Sequence, residues 1–149
     1  MKKCSELMTK SLVCCLASEP VSKVAQMMKD NDIGAIPVVD GQQHKHPIGM
    51  VTDRDIALGV VALGRDPLIT TAEAVMTRAV VTCHDDEDIL DILEAMSVYQ
   101  VRRIPVVDRN NSLVGIISLA DIALRLDQPK RIAEMIREVS VSNSMILER

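Results

Sequence analysis

The chain has 149 residues, enough for one ordinary domain or for two modules of about 60 residues, which would be marginal alone and would have to share a core. Its net charge is −4 and Tyr99 is its only aromatic residue, which excludes both a concentrated basic face for phosphate backbones and an aromatic platform for stacked bases. No apolar run reaches the ~18–20 residues that cross a bilayer, and Met1-Lys2-Lys3-Cys4-Ser5-Glu6 has a basic start without a signal-peptide apolar stretch. No nucleic acid and no membrane is expected as a partner, and the expected location is cytoplasmic. The core must be aliphatic and thioether, because Met is frequent at 9 while Trp and Phe are absent. Cys4, Cys14, Cys15 and Cys83 form no CxxC pair and read as apolar filler rather than a disulfide framework.

In chain order, Met8-Thr9-Lys10 comes first and recurs as Met76-Thr77-Arg78, an offset of 68. Val21, Val24, Ala25 and Met28 then mark one face of a helix that Pro20 precedes. The run Ile36-Pro37-Val38-Val39-Asp40 follows, and after a polar turn Ile48-Gly49-Met50-Val51-Thr52 supplies the second arm of a hairpin. A helix starts at Thr52 and carries Asp55-Ile56-Ala57-Leu58; Gly64-Arg65-Asp66-Pro67 then marks a boundary.

The second pass repeats this order. Ile89, Ile92, Leu93 and Met96 form the helix face, with Asp85, Asp86 and Glu87 leading into it. Ile104-Pro105-Val106-Val107-Asp108 matches the first strand at offset 68. Val114-Gly115-Ile116-Ile117-Ser118 and Asp121-Ile122-Ala123-Leu124 match at offset 66. The loop from Arg109 to Leu113 is two residues shorter than that from Gly41 to Pro47, and loops tolerate such changes. Asp127-Gln128-Pro129 then opens a further helix with Ile132, Met135, Ile136 and Val139 on one face. The predicted divisions are 5–64, 73–126 and a C-terminal helix and tail over 129–149.

Met-Thr, an apolar-Pro-Val-Val-Asp strand and Gly-apolar-apolar-Thr/Ser-x-x-Asp, twice over roughly residues 5–126, resemble the cystathionine β-synthase (CBS) domain family. The resemblance implies an α/β (α+β) fold of two tandem β-α-β-β-α repeats packed by pseudo-two-fold symmetry, plus the short C-terminal helix. It also implies two clefts for adenosine-type ligands.

Thr52-Asp53-Arg54-Asp55 and Ser118-Leu119-Ala120-Asp121 fit two roles. Ser or Thr followed three residues later by an acid caps a helix start. A helix N-terminus at the end of a strand also suits an anion. The resemblance implies that Asp55 and Asp121 accept hydrogen bonds from ribose hydroxyls while Thr52 and Ser118 face phosphates. Arg54, Arg102 and Arg103 offer the donor fork that matches phosphate oxygens. The matching positions to Arg102 and Arg103 are Gly34 and Ala35, so the two clefts differ. Val13, Ile33, Ile36 and Pro37 are candidates to hold the purine in one cleft. Val80, Val81, Ile104 and Pro105 are their counterparts, with Tyr99 nearby.

His44-Lys45-His46 has no recognised metal-ligand spacing, and Cys83-His84-Asp85-Asp86 cannot converge on a strand, so no metal, cofactor or catalytic residue is expected. The expected function is a non-catalytic sensor of AMP, ADP or ATP. The rival is a dimerising or partner-docking module with vestigial clefts. The helix over Ala57-Leu58 and Val60-Val61-Ala62-Leu63 is apolar nearly all round, which predicts a homodimer. With no effector domain in the sequence, output would pass through an unidentified protein target.

Overall fold

A computed structural model describes residues 2–10, 12–78 and 80–147, with 141–147 as backbone alone. Residues 148 and 149 of the expected C-terminal tail lie outside the described residues. The chain divides into two compact units. One contains Met1–Ser11, Val81–Asn110 and Val114–Arg149; the other contains Leu12–Val80 and Asn111–Leu113. Each unit therefore joins one repeat's body to the leading Met-Thr segment of the other repeat.

In the unit built on the first repeat, β1 (Cys15–Leu16) pairs in parallel with β2 (Ala35–Val39), which pairs antiparallel with β3 (Pro47–Thr52). The helix α2 (Val21–Asn31) connects β1 to β2. Its stripe of Val21, Val24 and Met28 is buried, while Ala25 is exposed. Pro20 caps it, and Asp32 ends it in the left-handed region at φ 52°. β1 reaches β2 only at Val38 and Val39, so Pro37, which has no N–H, interrupts no bond of that ladder. The short α3 (Asp53–Ile56) runs into a wider turn over Ala57–Val61, closed by an Ala62 N–H to Ala57 carbonyl bond of 2.9 Å. The hydrogen bond spans five residues, where the sequence predicts an ordinary helix. Then α4 (Ala72–Val75), which has no counterpart in the sequence reading, brings Thr77 to exchange backbone hydrogen bonds with Met50 at 2.9 and 3.0 Å. Cys15, Val24, Met28, Ile36, Val38, Val51 and Ala72 form this core.

The other unit repeats the plan. The helix α1 (Cys4–Leu7) delivers Thr9 to Ile116, again with two backbone hydrogen bonds. The strands β4 (Cys83–His84), β5 (Arg103–Val107) and β6 (Leu113–Ser118) lie in that order, with α5 (Ile89–Tyr99) between β4 and β5. The capping acid of α5 is Asp88, whose carboxylate accepts from the Leu90 N–H at 3.0 Å. Gln100 ends the helix at φ 56°, matching Asp32. α6 (Leu119–Arg125) and α7 (Pro129–Leu147) complete the unit. Ile89, Ile92, Leu93, Met96, Ile104, Ile117 and Ile122 are all but inaccessible to solvent. Each such side chain stabilises the fold by about 1.5–3 kcal/mol. Cys4 and Cys83 belong to this core, with their sulfurs 3.9 Å apart.

The glycine shared by the two repeats, Gly49 and Gly115, has a steric reason. A Cβ on Gly115 would lie 2.6 Å from the Thr9 carbonyl oxygen, and one on Gly49 would lie 2.6 Å from the Met76 sulfur. Only glycine lets the Met-Thr segment come this close to the sheet.

Candidate functional site

Where β6 ends and α6 begins, Ser118 and Asp121 cap each other. The Ser118 hydroxyl accepts from the Asp121 N–H at 3.0 Å, and the Asp121 carboxylate accepts from the Ser118 N–H at 3.0 Å. The Leu119 N–H donates to the Arg102 carbonyl at 2.8 Å, which ties this corner to the entrance of β5. The Arg102 and Arg103 side chains are exposed there. Among the described residues, neither guanidinium forms a salt bridge.

These groups open onto a cavity of about 410 Å³. Arg102, Arg103 and Ser118 form its polar part, and Leu119, Ala120 and Ala123 of α6 form one apolar wall. Ile136 and Ser140 of α7 form a second wall, apolar at Ile136 and polar at Ser140. The volume lies within the ~300–1,000 Å³ range of small-molecule sites. The Ser118 hydroxyl uses a lone pair on the cap and keeps its proton to donate. The lining contains no carboxylate, imidazole or thiol.

Of the residues singled out in the second repeat, Arg102, Arg103 and Ser118 meet in this cavity. Asp121 does not line it; its carboxylate is turned to the cap. Ile104 and Pro105 are buried in β5. Val81 is half-buried against the core, and Val80 belongs to the other unit. Tyr99 is 60% exposed at the end of α5, outside the cavity's lining.

The first repeat places the same corner differently. Thr52 and Asp55 form the matching reciprocal cap, at 2.9 and 3.1 Å. The remaining N–H groups that open α3 are also satisfied within the chain. Asp53 N–H donates to the Gly34 carbonyl, and the Arg54 N–H donates to the Asp53 carboxylate, both at 2.9 Å. That carboxylate fills the space beside Gly34, where an added Cβ would lie 3.0 Å from its oxygen. The Arg54 side chain is exposed, Ile33 is 36% exposed, Val13 is half-buried, and Ala35, Ile36 and Pro37 are buried in β2. An acid thus occupies the corner that carries Leu119 and two arginines in the second repeat.

Leu119, Ala120, Ala123, Ile136 and Ser140 are lining residues that sequence reasoning missed. The sequence places Ile136 on one apolar face with Ile132, Met135 and Val139, but only those three are buried, and Ile136 is 45% exposed. Among the described residues no group of three or more His, Cys, Asp or Glu is placed to hold a metal. His46 pairs with Asp40 at 3.2 Å instead. No described helix is long and apolar enough to cross a membrane.

Two like βαββα bodies, each with a capped corner beside a strand entrance, define the architecture of a tandem domain pair. The family model described as "CBS domain" matches residues 4–61 and 72–127, and the chain belongs to the CBS domain family. It is 38% identical over 124 residues to the CBS domain-containing protein YhcV of Bacillus subtilis, covering 83% of this chain and 85% of that protein. The structure of Hypoxic Response Protein I with two coordinated zinc ions is 34% identical, with a TM-score of 0.74, over 84% of this chain and 99% of that one. The CBS domain pair of protein MJ0100, solved with 5′-methylthioadenosine and S-adenosyl-L-methionine, is 28% identical. Its TM-score is 0.73 over 83% of this chain and 94% of that one.

Proposed function

We propose that the chain is a non-catalytic regulatory module of the cytoplasm that binds an adenine nucleotide in the cavity of the second repeat. The observation that carries this reading is that two guanidiniums, which form no salt bridge among the described residues, and the Ser118 hydroxyl line one cavity with the apolar Leu119, Ala120, Ala123 and Ile136. Arg102 and Arg103 take the phosphate, since planar guanidinium forks match phosphate oxygens. Ser118 donates its remaining proton to the same group. The apolar wall takes the rest of the ligand. Adenosine-type ligands in the MJ0100 pair support the adenine half of the reading. AMP, ADP and ATP all carry the required anion.

The first repeat supports assigning the nucleotide to the second. The Asp53 carboxylate stands in the equivalent corner and repels a phosphate. A homodimer is the working assembly. Leu58 (53% exposed), Val61 (73%) and Leu124 (85%) leave apolar surface that a second copy covers. Leu58 and Leu124 are equivalent positions of the two repeats. Output passes to a protein target. Denaturing the purified protein and weighing what it releases tests the assignment; release of an adenine nucleotide supports it. If the released compound carries no phosphate, the assignment to the arginine cavity fails.

A further inference from the structure

The nucleotide cavity borrows a wall from α7, an element outside both matched repeats. α7 docks on its own unit through Ile132, Met135 and Val139, each at most 6% exposed. A Ser97 hydroxyl to Glu138 carboxylate hydrogen bond of 2.5 Å adds to this. Ile136 is rotated off that stripe, and Ser140 follows it one turn later on the same face. Ile136 and Ser140 line the same cavity as Arg102, Arg103 and Ser118. The cavity of about 410 Å³ is open while α7 is docked. A ligand can therefore enter without displacing the helix and then adds contacts to it.

We infer that α7 is part of the ligand site and that nucleotide binding and α7 docking stabilise each other. The inference rests on the nucleotide reading above. Linkage makes the coupling reciprocal: a ligand that touches docked α7 holds it down, and loosening α7 weakens the ligand.

The full chain, stripped of bound ligand, is compared with and without saturating AMP by hydrogen exchange of the α7 amides from Ile132 to Ser140. AMP binding itself is followed by calorimetry. AMP is expected to slow α7 exchange by about tenfold, within the usual 5–150-fold span of coupling between sites. Ile136→Trp fills the cavity from the α7 side and is expected to weaken AMP by at least about tenfold while the thermal melt shows a folded chain. Met135→Ala loosens the dock away from the ligand and is expected to weaken AMP as well. Parent protein that binds AMP with unchanged or faster α7 exchange overturns this inference and leaves the site reading intact. A folded Ile136→Trp that binds AMP as the parent does overturns it too. Parent protein that binds no AMP overturns both.

Discussion

The Ser118 hydroxyl and the Asp121 carboxylate each accept a hydrogen bond from the other residue's backbone N–H, at 3.0 Å in both directions. The carboxylate so engaged is a positioning group for Ser118 rather than a wall of the cavity. Asp121→Ala is expected to cost about 1 kcal/mol of stability, the usual price of a lost cap, and to weaken AMP through the freed Ser118. Asp121→Asn keeps an acceptor for the Ser118 N–H and should recover most of both. Urea unfolding with AMP titration of the two variants checks this. Full loss of AMP affinity in both variants at unchanged stability would instead mark a direct ligand contact.

The two sheet glycines should respond unequally to alanine. Gly115→Ala drives its Cβ against the Thr9 carbonyl, a backbone atom, and overpacking of this kind costs about 1–3 kcal/mol. Gly49→Ala meets first the Met76 sulfur, the flexible part of a side chain, and should cost less. Thermal melts of both variants give the order directly.

How far the sequence carries the fold is visible in these same positions. Two offsets, 68 and 66, are enough to order the strands and helices of both repeats, because the alternation of apolar runs and turns is dense there. The exchange of Met8-Thr9 and Met76-Thr77 between the two bodies leaves no trace in those offsets, since either pairing gives the same spacing. α1 and α4 are four residues each, too short to show a period. At the site, Arg102 and Arg103 were legible as phosphate-matching donor forks just before Ile104-Pro105, and Ser118 as the head of a Ser-x-x-Asp tetrad. Ile136 was not, because four apolar residues on α7 fit one face equally well until the neighbour that buries three of them is known.

The buried thiols make the chain sensitive to alkali. Burial pushes the Cys15 thiol up to about 12 from 9.0, with Glu19 adding to the rise. The Cys83 thiol is raised further, first by its contact with Cys4 and then by burial. An unfolded chain ionises these thiols above pH 9 while the folded chain keeps them protonated. Their contribution is therefore whole below pH 9 and is lost as the pH climbs toward 12. The urea midpoint should fall between pH 8 and 10 by more in the parent than in Cys15→Ala, about in proportion to the thiol removed. Equal falls would show that Cys15 does not titrate in this way.

Light scattering at micromolar concentration should give twice the 16.4 kDa chain mass. Leu58→Asp and Leu124→Asp place a charge on surface that is 53% and 85% exposed in one copy, so neither should unfold the chain. Each is expected to shift the mass toward the single chain. A parent of single-chain mass would refute the dimer, and variants of unchanged mass would move the contact elsewhere.

The most direct measurement is calorimetry of ligand-stripped protein with AMP and with adenosine, on the parent, Arg102→Ala and Arg103→Ala. Hydrogen bonds to charged groups are worth about 1.5–3 kcal/mol, so each arginine variant should lose about 10- to 100-fold in AMP affinity. Adenosine should bind the parent more weakly than AMP and should be indifferent to both substitutions. Equal affinity of the parent for AMP and adenosine, or arginine variants that hold AMP as the parent does, would contradict a phosphate site at Arg102 and Arg103.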